Sequence, residues 1–249
     1  MMLETRRQVT GKVSIVGHRG AAACAPENTL VSFQIGLDQG ADIIELDVQL
    51  SADGQVVVFH DETLDRTTNA RGPLAERTLA ELKTLDAGSW YHPRFAGEPI
   101  PTLKEVLAWA RERVPLFIEL KYGARLQPPL HAAVVECVLA HRMAHQVMII
   151  SFEHQALSRV KESVPELATG ALYLYPLADP LALADRIGAN ALMPLWHLVT
   201  AADITMYHAA GLAVNVWGAD ADYAGLIAAG VDCINADHPA QVRRDFLQV

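Results

Sequence analysis

Short apolar runs alternate with longer amphipathic or alanine-rich stretches along the whole chain. The strand-like runs are residues 13–18, 43–50, 116–121, 147–152, 169–174, 191–195, 213–217 and 231–235. Between them, segments such as 29–39, 103–113, 130–141, 155–163 and 221–229 carry helical spacing. The alternation makes about eight β/α units, the number expected of an α/β fold of the (β/α)8 TIM-barrel class. An open doubly wound sheet is the competing arrangement. It usually has fewer strands and a glycine-rich nucleotide loop, and the chain shows no such loop. No repeat, low-complexity tract or linker interrupts the pattern, so one barrel domain over residues 1–249 is expected.

One stretch breaks the rhythm. Roughly sixty-five residues, 51–115, lie between the second and third barrel strands, where a βα loop normally takes a few. The stretch opens with Asp53-Gly54, a hairpin signal, and residues 56–59 return as a short strand that delivers His60. The remainder, to about residue 101, reads as an insertion closed by the helix at 103–113. An insertion at the loop end of a barrel is a natural place for residues that shape a substrate site.

Strand side chains alternate in direction. In 43–50, Leu46, Val48 and Leu50 share one face and Glu45, Asp47 and Gln49 the other. In a barrel the apolar face packs on the helices and the polar face points inward, which stacks Glu45 and Asp47 roughly 7 Å apart at Cα. Segment 116–121 has the same parity, with Ile118 and Leu120 outward and Glu119 and Lys121 inward. Adjacent strands then bring Glu45, Asp47 and Glu119 to one point near the strand C-termini, the face where barrel active sites lie. Clustered carboxylates repel unless something positive sits among them. Mg2+ or Ca2+ suits an all-oxygen donor set, and zinc suits it less. The plainer alternative is that the three acids pair with Arg19 and Lys121.

Of ten histidines, two stand at strand ends beside this cluster. His18 ends the first strand and is followed by Arg19-Gly20, and His60 ends the hairpin strand. An imidazole titrates near neutral pH, so two of them can give and take a proton on opposite sides of a phosphate. Arg19 and Lys121 are the cations that can grip phosphate oxygens. His92, His131, His141, His145, His154, His197 and His208 read as surface or core residues, and His238 adjoins a strand end.

Composition narrows the rest. Hydrophobic residues make up 51%, enough for a large core, but no apolar run is long enough to span a bilayer. The N-terminal residues lack the apolar stretch of a secretory signal, so a cytoplasmic protein without stable membrane insertion is expected. The net charge of −9 argues against a nucleic-acid binder but not against an anionic small molecule, since a local cation cluster can reverse the field in one cleft. Cys24, Cys137 and Cys233 show no metal spacing and read as reduced, mostly buried thiols. No oligomeric state follows from the sequence.

The ordered set His18-Arg19-Gly20, Pro26-Glu27-Asn28-Thr29, Glu45-Leu46-Asp47-Val48 and His60-Asp61 resembles the glycerophosphodiester phosphodiesterase family. Leu64-Asp65-Arg66-Thr67-Thr68, Leu85 through Trp90, Pro101-Thr102-Leu103, Ile118 through Lys121, Ser151-Phe152, Val214 through Trp217 and Gly230 through Asp237 extend the likeness over essentially the whole chain. It is strongest to cytoplasmic bacterial members with an Ala-Gly-Ser-Trp insertion. The resemblance implies a distorted barrel of the PLC-like phosphodiesterase type that hydrolyses glycerophosphodiesters to glycerol 3-phosphate and an alcohol. It implies metal ligands at Glu45, Asp47 and Glu119, an acid–base pair at His18 and His60, and phosphate contacts at Arg19 and Lys121. It places Phe152 and Trp217 on the glycerol side of the pocket. Ala236 departs from the family's usual Thr, and the loop at 21–25 is small and apolar.

Three other readings use some of the same residues. They are a lysophospholipase D-like enzyme, a Schiff-base aldolase built on Lys121 and a non-catalytic glycerophosphodiester- or metal-binding module. The aldolase leaves Glu45, Asp47 and His60 without a task.

Overall fold

The computed structural model describes residues 3–122, 129–218 and 221–247. The strands among them are β1 (Ser14–Gly17), β2 (Ile43–Leu50), β3 (Val56–Val58), β4 (Leu116–Leu120), β5 (Val147–Ser151), β6 (Ala168–Tyr173), β7 (Ala191–Pro194), β8 (Ala213–Val216) and β9 (Cys233–Ala236). The helices are α1 (Arg7–Thr10), α2 (Leu30–Asp38), α3 (Leu79–Leu82), α4 (Leu103–Ala110), α5 (Leu130–Ala140), α6 (His154–Ser163), α7 (Pro180–Ile187), α8 (Ala201–Ala209), α9 (Tyr223–Ala229) and α10 (Pro239–Phe246). No helix of the described residues is long and apolar enough to cross a membrane.

All strands except β3 pair in parallel, in the order β1-β2-β4-β5-β6-β7-β8-β9, and β9 returns to β1. This is the closed eight-stranded barrel that the strand count predicts. β3 folds back antiparallel on the end of β2, with Val48 opposite Val58. The expected helix at 103–113 stops at Ala110 because the chain turns toward β4 there, with Glu112 in the left-handed region at φ 61°. Its start is firm. Thr102 and Glu105 cap each other reciprocally, Thr102 Oγ1 accepting from the Glu105 amide and the Glu105 carboxylate from the Thr102 amide.

Three apolar clusters follow from strand parity. The outward residues Ile44, Leu46, Val48 and Leu50 of β2 meet Phe33 of α2 and Leu103, Val106 and Leu107 of α4 in the layer between barrel and helices. Inside the barrel, Ile43, Phe117, Met148, Ile150, Leu172 and Met193 fill the lower part. The upper part is left to polar side chains. The excursion between β2 and β4 has its own cluster, in which Val57, Phe59, Leu64, Leu74, Leu82 and Ile100 are fully or almost fully buried. Cys137 and Cys233 are buried, and all three thiols are free.

Candidate active site

β2 and β4 lie side by side with Asp47 directly across from Glu119, and Glu45 is one inward position deeper on β2. One carboxylate oxygen from each of the three lies within 4.8 Å of the others. Their exposures are only 2%, 1% and 8%, so each acid needs a partner to stay charged. Lys121 supplies part of this charge. Its Nζ is 3.1 Å from Asp47 Oδ1 and 2.6 Å from Glu119 Oε1. Arg19 Nε makes an ion-pair contact with Asp47 Oδ2 at 3.2 Å. The plainer alternative from the sequence, ion pairing with Lys121 and Arg19, is therefore present together with the convergent oxygen set.

The loop after β1 supplies His18 and Arg19 through a strained turn. Arg19 and Gly20 both have positive φ, 49° and 93°. That turn aims the Arg19 amide at Glu45, which accepts it at Oε2 over 2.9 Å. Only glycine fits at position 20, because a Cβ there would lie 2.5 Å from the Ser32 carbonyl carbon. Asn28, also left-handed at φ 58°, fixes Asp47 from both sides. Its Nδ2 donates to Asp47 Oδ2 over 2.8 Å, and its Oδ1 accepts from the Asp47 amide over 3.2 Å.

Both histidines are gripped at Nδ1 by a carboxylate. His18 meets Asp237 Oδ1 at 2.6 Å and His60 meets Asp61 Oδ1 at 2.6 Å. Each carboxylate selects the tautomer with the proton on Nδ1 and leaves Nε2 for a substrate. The hairpin end that carries His60 is pinned from β2. The Gln49 amide lies 3.0, 3.1 and 2.7 Å from the carbonyls of Phe59, His60 and Asp61.

The electrostatics separate the groups. Burial, and next the charge of Asp47, lift Glu45 to about 7 and Glu119 to about 8. Asp47 goes the other way. Burial opposes its charge, but Lys121 and Arg19 outweigh burial and hold it below the usual carboxylate range. Two reluctant acids beside one committed acid are a donor set that a hard divalent cation would complete. Burial pulls His18 down, yet the Asp237 hydrogen bond and the Glu45 charge raise it overall. Burial dominates at His60, which is lowered despite Asp47. Lys121 is pulled down by burial but raised overall by Asp47 and Glu119, so it stays an ammonium group rather than a Schiff-base nucleophile.

Among the described residues, two cavities open at the mouth. One of about 490 Å3 is lined by His18, Arg19, Trp217, Tyr223, Asp237 and His238 among others. A second, of about 300 Å3, is lined by Gln49, His60, Asp61, Glu62, Lys121 and Tyr122. Each histidine shares a cavity with one of the two cations. Trp217 donates from Nε1 to the Met193 carbonyl over 2.9 Å and meets the half-exposed Phe152 edge-on, with ring centres 5.4 Å apart. Ala236 faces the helix layer and not the mouth.

Sequence reasoning gives no task to Glu27, Asn28, Gln49, Asp61, Arg66 or Asp237, and all six bond to the site or to its bonding partners. Glu27, Asn28, Asp61, Arg66 and Asp237 stand within the motifs quoted above, so motif membership is a usable signal. Gln49 carried a clearer one, as a polar residue with the parity of Glu45 and Asp47.

Comparison with known proteins gives the family. The glycerophosphoryl diester phosphodiesterase family profile matches residues 18–241. A protein of Caldanaerobacter subterraneus subsp. tengcongensis named glycerophosphodiester phosphodiesterase is 39% identical over 231 residues, covering 92% of this chain and 95% of its own. The crystal structure of glycerophosphodiester phosphodiesterase from Agrobacterium tumefaciens is similar at 35% identity and TM-score 0.79, covering 92% of this chain and 98% of its own. An Oleispira antarctica phosphodiesterase, solved in complex with the product sn-glycerol-3-phosphate, is similar at 29% identity and TM-score 0.84, with 95% and 97% covered. With a family match over nearly its full length, on a barrel whose mouth gathers the residues described above, the chain belongs to the glycerophosphoryl diester phosphodiesterase family.

Proposed function

We propose that the protein hydrolyses glycerophosphodiesters to sn-glycerol 3-phosphate and an alcohol, by two-histidine acid–base catalysis at a divalent-metal site. The observation that carries this reading is the buried set Glu45, Asp47 and Glu119, flanked by two histidines that are each oriented by a carboxylate. The named relatives and the product-bound neighbour support the substrate class.

Glu45, Asp47 and Glu119 would hold Mg2+ or Ca2+. The ion's contribution when bound is neutralisation of charge on the phosphoryl oxygens. Arg19 and Lys121, both in contact with Asp47, grip phosphoryl oxygens and stabilise the charge that builds in the transition state. His60, lowered by burial, takes a proton at Nε2 from the attacking oxygen, which is that of water or of the neighbouring glycerol hydroxyl, the second route giving a cyclic phosphate that water then opens. A bond forms from that oxygen to phosphorus as the bond from phosphorus to the leaving alcohol oxygen breaks. His18, raised by Asp237, keeps its proton longer and gives it to that alcohol. Trp217 and Phe152 form an apolar wall for the glycerol carbons.

The test is release of glycerol 3-phosphate from glycerophosphocholine by purified protein, first with EDTA and then with Mg2+ or Ca2+. Release that depends on the added ion is expected. No release from glycerophosphocholine, glycerophosphoethanolamine or lysophospholipid under any ion would overturn the proposal.

A further inference from the structure

Arg66 belongs to the excursion after β3 and stands on no barrel strand. Its guanidinium nevertheless makes four short bonds to two carboxylates. Nη1 and Nη2 donate to the two oxygens of Glu27, each over 2.7 Å. Nε and Nη2 donate to the two oxygens of Asp61, over 2.7 and 2.9 Å. Both carboxylates have a second duty in the mouth. Glu27 Oε1 also accepts from Arg19 Nη1 over 2.7 Å, and Asp61 Oδ1 also holds His60 Nδ1 at 2.6 Å. A continuous chain of charge-assisted bonds thus runs His60–Asp61–Arg66–Glu27–Arg19 and joins the two cavities. Segment 90–94 of the same excursion reinforces the link. The Trp90 ring lies 6.0 Å from the Arg66 guanidinium carbon, and the Tyr91 hydroxyl donates to the Ala23 carbonyl in the loop after β1 over 2.6 Å.

We infer that Arg66 is a positioning residue which fixes the His60 imidazole and the Arg19 guanidinium together, so that proton transfer and phosphate grip are set by one side chain outside the barrel strands. The inference rests on the catalytic reading of His60 and Arg19 given above. It goes further in tying their geometry to one shared neighbour. A guanidinium is needed because its planar fork can take two carboxylates two bonds at a time, whereas an ammonium offers three donors from a point. Residues that orient first-contact groups in this way typically cost ten- to a hundredfold in activity when removed.

The experiment compares R66A, R66Q and R66K with D61N and E27Q, each checked for folding by circular dichroism and melting. Steady-state kinetics is the first readout. In R66A, kcat falls and KM rises together, with kcat/KM down about ten- to a hundredfold. D61N lowers mainly kcat, and E27Q raises mainly KM. The double variant D61N/R66A has a kcat no lower than about twofold below the worse single variant, because both changes break the same chain. R66K recovers less than half of the loss. The second readout is the low-field proton resonance of the His60 Nδ1–H, assigned by its absence in H60A, which weakens or shifts in R66A or R66Q. If the wild-type protein releases no product from any diester, the catalytic reading fails, and this resonance alone decides the role of Arg66. Kinetics within about twofold of wild type together with an unmoved resonance would overturn the inference. So would losses in D61N/R66A that multiply as for independent sites.

Discussion

Asp47 and Glu119 face each other in register across β2 and β4 and share one ammonium group, Lys121 Nζ, at 3.1 and 2.6 Å. The pair has opposite tendencies. Asp47 stays ionised, while burial and the Asp47 charge lift Glu119 to about 8. On the proposed reading, a divalent ion bound there would displace the protons that Glu119 and Glu45 hold below about 8 and about 7. Ion affinity is therefore expected to rise from about pH 5 to about pH 8 and then level off. Titration calorimetry with Mg2+ and Ca2+ at several pH values checks this, and an affinity flat across that range would contradict it. D47N is expected to abolish measurable binding.

His18→Ala and His60→Ala are each expected to lower turnover by roughly two to four orders of magnitude, with folding intact because neither side chain is part of an apolar cluster. Single-turnover release of glycerol 3-phosphate measures it. Near-wild-type turnover in either variant removes that histidine from the mechanism.

The direction of the histidine shifts fixes the shape of the pH profile. A base lowered below its ordinary value sets an acid limb, since activity is lost as pH falls through the His60 value. An acid raised above its ordinary value sets the alkaline limb, since activity is lost as pH rises through the His18 value. Asp237→Asn removes the carboxylate that raises His18. The alkaline limb of kcat/KM is expected to move to lower pH while the acid limb stays. Movement of the acid limb instead would reverse the two assignments.

Gly20 carries both a positive φ and a contact that no side chain can share. Gly20→Ala is expected to cost about 1–3 kcal/mol in a urea melt and to withdraw the Arg19 amide from Glu45. Ion affinity should fall with it. Unchanged affinity in a destabilised variant would separate the turn from the carboxylate cluster.

Much of this site could be read from strand parity. The alternation Glu45, Asp47, Gln49 against Leu46, Val48, Leu50 is a backbone property, and β2 obeys it. The same rule placed Glu119 and Lys121. Groups that act through loops were harder to read. Asp237 reaches His18 from the far end of the chain, 219 positions away, and only barrel closure brings β9 beside β1. Arg66 meets Glu27 across 39 positions because the excursion folds back over the first loop, a path no local periodicity encodes. Gln49 had the right parity, but its bonds to three successive carbonyls depend on where the hairpin ends.

The excursion's private apolar cluster gives the fold a second packed unit beside the barrel. The barrel keeps the three clustered carboxylates and His18, while the other unit keeps His60, Asp61 and Arg66. A sub-global opening of residues 57–100 would withdraw His60 from the mouth without parting Glu45, Asp47 and Glu119. Amide exchange at Val57, Leu64 and Leu74, followed against exchange at Ile118 and Ile149, would measure how often that clutch disengages.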